Sequence, residues 1–231
     1  MLLSLRLLAA SVVFCAAASA RDGDNTLSDE EKKAGWKLLF DGKTTEGWKG
    51  YKKDKVSDGW KVVDGALVTK GKSGDICTVE EFQDFELQID WKISPGGNSG
   101  IMYRVAETRG APYETGPEYQ VLDDEKHGDG KNPLTSAGSI YAVYPPAKKV
   151  VKPVGEWNHT KIVLKGNHVE HWLNGEKVCE AEIASEDWNA RVAKSKWAKV
   201  SSYAKETKGK IDLQDHGDAV EFKNIKILVL K

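Results

Sequence analysis

Between Phe85 and Ile93 the chain alternates without a break, apolar at every odd position and polar at every even one. A period of two held over nine residues predicts a strand with one face in a core and the other toward solvent or a ligand. Shorter runs of strand character follow at 99–105, 118–122, 160–164 and 169–173, and again at 210–214 and 219–230. Two connections are equally legible. Asp64-Gly65 joins the runs 60–63 and 66–69, and Asn174-Gly175 follows Leu173; both dipeptides favour the positive-φ turn of a tight hairpin. One stretch departs from the β pattern. Ser185 before Glu186 and Asp187 reads as a helix cap with an acidic first turn. Trp188, Val192 and Val200 would give this inserted surface helix, over about 185–200, its apolar contacts. Residues 21–34 are polar and charged and read as a flexible leader, with regular structure beginning at residue 35. Many short strands, one helix and no helix–strand alternation predict an all-β fold over 35–231, two antiparallel sheets forming a sandwich or jelly roll.

The N-terminus adds a location. One charge at Arg6, an apolar run over 7–18 and the small-x-small triplet Ala18-Ser19-Ala20 form the layout of a secretory signal peptide spanning 1–20. The apolar run is shorter than the roughly 20 residues a spanning helix needs. The expectation is an exported protein, periplasmic or extracellular, with no membrane partner after cleavage. The 34 basic and 35 acidic residues nearly cancel, which argues against nucleic acid or a charged membrane surface as partner. Eight tryptophans suit stacking on the C–H faces of sugars. Cys77 and Cys179 lie on separate predicted strands; export permits a disulfide without establishing one. No C-x-x-C or H-x-x-x-H spacing supports a structural zinc site. G-x-S-x-G, H-E-x-x-H and phosphate-loop patterns are also missing.

Strand alternation places candidate chemistry. Asn98, Gly100, Met102 and Arg104 share a face, as do Glu118 and Gln120, and as do Asp212, Gln214 and His216. Each set opposes apolar neighbours. Amides, a guanidinium and an imidazole gathered this way, with few lysines, suit a concave sheet gripping a polyhydroxylated ligand, because planar amides and forked donors match sugar hydroxyls. Glu118, Asp123, His127, Asp215 and His216 are the ionisable candidates. The acid-rich loop 123–130 lacks EF-hand spacing and reads as a polar loop. His159, His168 and His171 flank apolar residues and read as structural. Lysines between 194 and 210 read as a solvated helix and loop.

Taken in order, the motifs resemble a known family. Trp36-Lys37-Leu38-Leu39-Phe40-Asp41-Gly42 with Gly47-Trp48 is similar to the opening of the 3-keto-disaccharide hydrolases. Gly97-Asn98-Ser99-Gly100-Ile101 with Arg104, then Glu118-Tyr119-Gln120-Val121-Leu122-Asp123, resembles its middle motifs. Glu156-Trp157-Asn158, Leu173-Asn174-Gly175, the run from Ile211 to Gly217 and the ending from Val220 to Ile227 match the rest. The resemblance implies a concanavalin-like jelly-roll β-sandwich and cleavage of glycosidic bonds in sugars oxidised at C3. A C3 ketone acidifies the C2 proton, so a base can form an enolate, the C1 substituent can leave and water can add. On that reading Glu118, Asp123 and His216 are the catalytic acid and base groups, and Arg104 and Gln120 the oxyanion and hydroxyl donors. Asn98 and Gln214 orient the sugar. No cofactor is implied, although a divalent metal could supply the electrophile. Direct hydrolysis by two carboxylates remains a second route. A non-catalytic carbohydrate-binding module and an envelope structural protein are the other classes compatible with the pattern.

Overall fold

The computed structural model describes residues 23–231, so the expected export signal over 1–20 lies outside the described residues. The chain opens with α1 (Asp29–Ala34), β1 (Lys37–Leu38), β2 (Trp48–Gly50), β3 (Trp60–Val63), β4 (Ala66–Thr69) and β5 (Ile76–Thr78). The long strands β6 (Phe85–Ile93) and β7 (Asn98–Val105) precede β8 (Glu118–Leu122). Then come β9 (Asn158–Lys165), β10 (His168–Leu173), β11 (Glu176–Glu182), α2 (Glu186–Lys194), β12 (Lys210–Leu213) and β13 (Val220–Val229).

These strands form the predicted two antiparallel sheets. One runs β11-β10-β9-β6-β13-β4-β3 with β1 also beside β13, and the other β2-β5-β12-β7-β8. The odd residues of β6 point into the space between them: Phe85, Leu87, Ile89 and Trp91 are wholly buried. Ile101, Tyr119, Val121, Ile211 and Leu213 of the second sheet complete the same core. Trp91 satisfies its indole N–H there by donating to Thr160 Oγ1 at 2.9 Å, which keeps this large side chain from burying a lone donor. Both predicted hairpin turns have positive φ at each central residue, 49° and 75° at Asp64-Gly65 and 51° and 88° at Asn174-Gly175. That twist matches the right-handed twist of the flanking strands.

Two expectations change. Residues 23–34 are ordered. Ser28 caps α1 through a reciprocal capping box with Glu31, Asn25 exchanges hydrogen bonds with Asn224 at 2.6 and 2.9 Å, and Glu31 pairs with Lys226. The polarity that reads as a solvated leader is spent on capping and on pairing with β13. The helix predicted over 185–200 ends at Lys194, where Ser195 closes it and re-caps a 3-10 turn over Lys196–Lys199. Ser195 manages both jobs, donating to Val192 O at 2.8 Å and accepting from Trp197 N at 3.1 Å. This helical insertion folds back over the outer face of the five-stranded sheet, so a face that alternation marks as polar becomes covered.

Candidate active site

Register across the second sheet sets the site. Lys49, Cys77, Asp212, Met102 and Glu118 are successive cross-strand partners, one from each strand. In the next row Gln120 pairs with Gly100, and Gln214 N donates to Gly100 O at 2.9 Å. Asn98 lies two residues before Gly100, on the same face. Gly100 has no side chain, and the Glu118 carboxyl occupies the space a Cβ would take there. Gln120 and Gln214 flank the gap.

The amide oxygens around it lack partners. Gln120 is wholly buried and its Nε2 donates to Thr135 O at 3.1 Å, which turns Oε1 toward the gap. Gln120 Oε1, Asn98 Oδ1 and Gln214 Oε1 are all buried without a hydrogen bond. Each unmet acceptor costs about 1–3 kcal/mol, and a ligand that donates hydroxyl protons removes that cost. Glu118 is buried, and burial pushes its pKa up to about 8; Lys196 opposes the rise while Asp75 and Asp129 add to it. Asp212, wholly buried, has no partner for either carboxyl oxygen. Burial above all, then the charges of Asp75, Glu118 and Glu107, raises its pKa well above the ordinary carboxylate range.

The walls come from distant chain. Residues 138–141 run beside β8, with Tyr119 bridged to Ile140 and Tyr141 N donating to Glu118 O at 3.0 Å. Trp197 reaches Tyr141 O through its indole N–H at 3.1 Å and stacks on Tyr203, centroids 4.8 Å apart and planes at 8°. Tyr113 closes against Trp197 at 5.9 Å. His216 stands exposed at the rim. Its neighbour Asp215 fixes that rim by accepting backbone N–H bonds from Lys72, Ser73, Gly74 and Gly217. Asp215 N in turn donates to Asp75, whose pKa burial pushes up to about 6. Floor and walls enclose about 390 Å³, within the range of small-ligand sites.

Five residues singled out by alternation border this pocket: Asn98, Glu118, Gln120, Gln214 and His216. Two others do not. β7 carries one extra residue opposite Ile211, since Lys210 pairs with Val105 but Asp212 with Met102. Arg104 takes φ of 55° in that irregularity and leaves the face of Asn98 and Gly100. Its Nη2 donates to Gly166 O in the β9–β10 turn of the other sheet, so it ties sheet to sheet and offers no donor to the pocket. Asp123 follows β8 and spends its carboxylate on the backbone N–H groups of Gly96, Glu125 and Lys126. It shapes a turn. His127 likewise caps a 3-10 turn by accepting from Asp129 N at 3.1 Å.

The sequence reading missed Tyr113, Tyr141, Lys196 and Trp197, which border the pocket from outside the sheet. Nothing local marks them. Asp212 was placed on the right face by alternation but given no role. Its signal is a lone carboxylate among amides on a strand whose opposite face is apolar.

Cys77 and Cys179 are buried free thiols in different sheets. Burial pushes them up to about 12 and about 11, and the bridge that export would permit is not formed. His171 is structural as expected, held between Tyr103 Oη and Gly138 O at 3.1 Å each. Burial lowers its pKa to about 4. The oxygens of Glu118, Asn98, Gln120 and Gln214 are hard donors of the kind a divalent cation takes, although the Lys196 ammonium shares their pocket. Among the described residues, His168, Glu170 and Glu180 also bring ligand atoms within 4.8 Å of one another, on β10–β11 of the other sheet. Lys177 already sits on that group, 3.2 Å from Glu170 and 2.7 Å from Glu180.

A sequence model of the 3-keto-alpha-glucoside-1,2-lyase-like domain matches residues 35–228. The 3-keto-disaccharide hydrolase of Bacteroides thetaiotaomicron is 35% identical over 228 residues, covering 85% of this chain and 79% of that protein. A crystal structure from Parabacteroides distasonis, described as a candidate glycosyl hydrolase, superposes with a TM-score of 0.86 at 44% identity, covering 90% of this chain and 100% of that one. A Bacillus subtilis protein with a galectin-like fold aligns at 14% identity and TM-score 0.51, over 89% and 94% of the two chains, and shares the architecture. The chain belongs to the 3-keto-alpha-glucoside-1,2-lyase-like family, and its sandwich is the jelly roll of the galectin and concanavalin type.

Proposed function

We propose that the protein cleaves the glycosidic bond of 3-keto-disaccharides or 3-keto-glucosides by elimination followed by addition of water. One observation carries this reading. A buried carboxyl with a pKa raised to about 8 lies on the floor of a pocket, surrounded by amide oxygens that lack donors. Sugar hydroxyls donate to Asn98, Gln120 and Gln214, and the Trp197 wall covers an apolar face of the ring. Glu118, ionised, removes the C2 proton, and the electron pair passes to the C3 oxygen as an enolate. Collapse of the enolate expels the C1 oxygen, which His216 protonates at the rim. Water then adds to C1 and a proton returns to C2, giving net hydrolysis.

Asp212 does not border the pocket, and Glu118 is the carboxyl among the described residues that does, so no second carboxylate is at hand for the two-carboxylate route. That favours elimination. Export is part of the same reading and rests on the N-terminal pattern over 1–20; N-terminal sequencing of the protein from periplasm or medium should begin at Arg21.

The test is incubation of the purified protein with a chromogenic 3-keto-glucoside and its unoxidised parent, with and without chelator, in deuterated water. The expected result is release from the keto substrate alone, with deuterium at C2 of the sugar product. Sugar binding without release from any keto-glucoside would leave a lectin-like module.

A further inference from the structure

The pocket is unbalanced in hydrogen-bonding chemistry. Asn98 Oδ1, Gln120 Oε1 and Gln214 Oε1 wait for donors. Three donors on the pocket's own side chains are already engaged: Gln120 Nε2 with Thr135 O, Trp197 Nε1 with Tyr141 O, and Tyr141 Oη with Asp129 Oδ2 at 3.1 Å. A sugar hydroxyl suits such a site because it can donate. A ketone cannot; it only accepts, and it gains a full negative charge when the neighbouring carbon loses its proton.

Among the described residues, Lys196 is the one lysine or arginine bordering the pocket. Its ammonium makes no hydrogen bond or ion pair to the described residues. It lies 4.1 Å from the centroid of Tyr141 and 4.5 Å from that of Trp197, a cation–π seat that limits where it can point. The backbone beneath it is fixed on both sides. Ser195 caps the 3-10 turn, and Trp197 is pinned by its bond to Tyr141 O and by its stack on Tyr203. The charge is therefore held beside Glu118 while remaining free to bind. Burial lowers the Lys196 pKa, with Glu118 and Asp129 opposing.

Resting on the cleavage reading above, we propose that Lys196 is the group that recognises the oxidised carbon, donating to the C3 oxygen and neutralising the enolate that Glu118 generates. The ground-state ketone takes one hydrogen bond from the ammonium. The enolate takes the same bond with its charge fully developed, so the interaction strengthens as the C2 proton leaves. Proton and electrons balance without any further reactant: the C2 proton goes to Glu118, the pair to the C3 oxygen and then to the departing C1 substituent. An unoxidised sugar offers a C3 hydroxyl, which can also accept from the ammonium but has a smaller dipole than a ketone and never develops the enolate's charge, so the same contact favours the keto form.

Lys196→Met keeps the stem over the rings and removes the charge, and Lys196→Arg restores it. Two measurements are made on both variants and the wild type. The first is kcat and KM on a 3-keto-glucoside. The second is equilibrium binding of a 3-keto C-glucoside, whose C1–C bond offers no leaving group, against binding of its unoxidised parent. The expected result for Lys196→Met is a kcat about 10²–10³-fold lower, the loss typical of a removed oxyanion donor. Lys196→Arg should recover about tenfold or more of that. The wild type should bind the keto C-glucoside more tightly than its parent, and Lys196→Met should lose the preference. A wild type that turns over with Lys196→Met within about threefold of it would overturn the proposal. A keto preference that survives in Lys196→Met would overturn it as well, even if no keto-glucoside is cleaved. A wild type with the preference but no turnover would remove the cleavage reading and leave Lys196 as the group that selects the ligand.

Discussion

Glu118 lies flat across Gly100: a Cβ built on Gly100 would stand 2.9 Å from the Glu118 Cδ. The bare backbone at position 100 is what lets a carboxyl from the neighbouring strand rest on the sheet between Gln120 and Gln214. The glycine is needed for space, since nothing about its backbone angles is special.

Gly100→Ala therefore displaces the carboxyl without breaking a turn. The expected outcome is a fall in kcat/KM on a 3-keto-glucoside of about 10²-fold, the scale on which a misplaced catalytic group acts. Stability measured by thermal unfolding should fall by no more than about 1–3 kcal/mol, the usual cost of an overpacked methyl, because what must shift is the end of the Glu118 side chain beside an open pocket. Unaltered kinetics would mean that Glu118 works from another position.

Glu118 also sets the pH dependence. As a base it must be ionised, and with a pKa raised to about 8 by burial kcat/KM should climb through that pH and level above it. Glu118→Gln should lose about 10²–10⁴-fold in turnover while keeping sugar affinity. Stability runs the other way. The folded pKa lies above the ordinary 4.5, so the stability tied to this proton is complete below 4.5 and is lost as pH rises through about 8. Melting curves should place Glu118→Gln above the wild type near pH 9, with the gap closing near pH 4. A gap of the opposite sign would show a carboxylate stabilised by a partner.

Arg104 should behave as a structural residue despite its place among polar neighbours in the sequence. Arg104→Met removes the tie to Gly166 O and should cost about 1–3 kcal/mol of stability, the scale for a charged hydrogen bond. KM and kcat measured well below the melting temperature should be unchanged. A specific rise in KM would return Arg104 to the site.

Short-range pattern determined much of this protein. Alternation over Phe85–Ile93 is β6 itself, and Asp64-Gly65 and Asn174-Gly175 are hairpin turns because a two-residue positive-φ connection depends on those residues alone. Period two also put Asn98, Glu118, Gln120, Gln214 and His216 on one face, since pleat direction is a local property. It failed at Arg104, where one extra residue in β7 against β12 reverses the direction of everything beyond it. No single strand's sequence shows how its partner is registered.

Tertiary structure alone decided what that polar face became. Packed under Tyr141, Lys196 and Trp197 it is a pocket; left open it would have been an ordinary solvated sheet. The contacts responsible join residues 118 with 141, 141 with 197 and 115 with 204, separations across which sequence pattern carries no signal. Burial is also what raises the pKa of Glu118 and of Asp212, because desolvation depends on everything that surrounds a carboxyl and on almost nothing beside it in the chain.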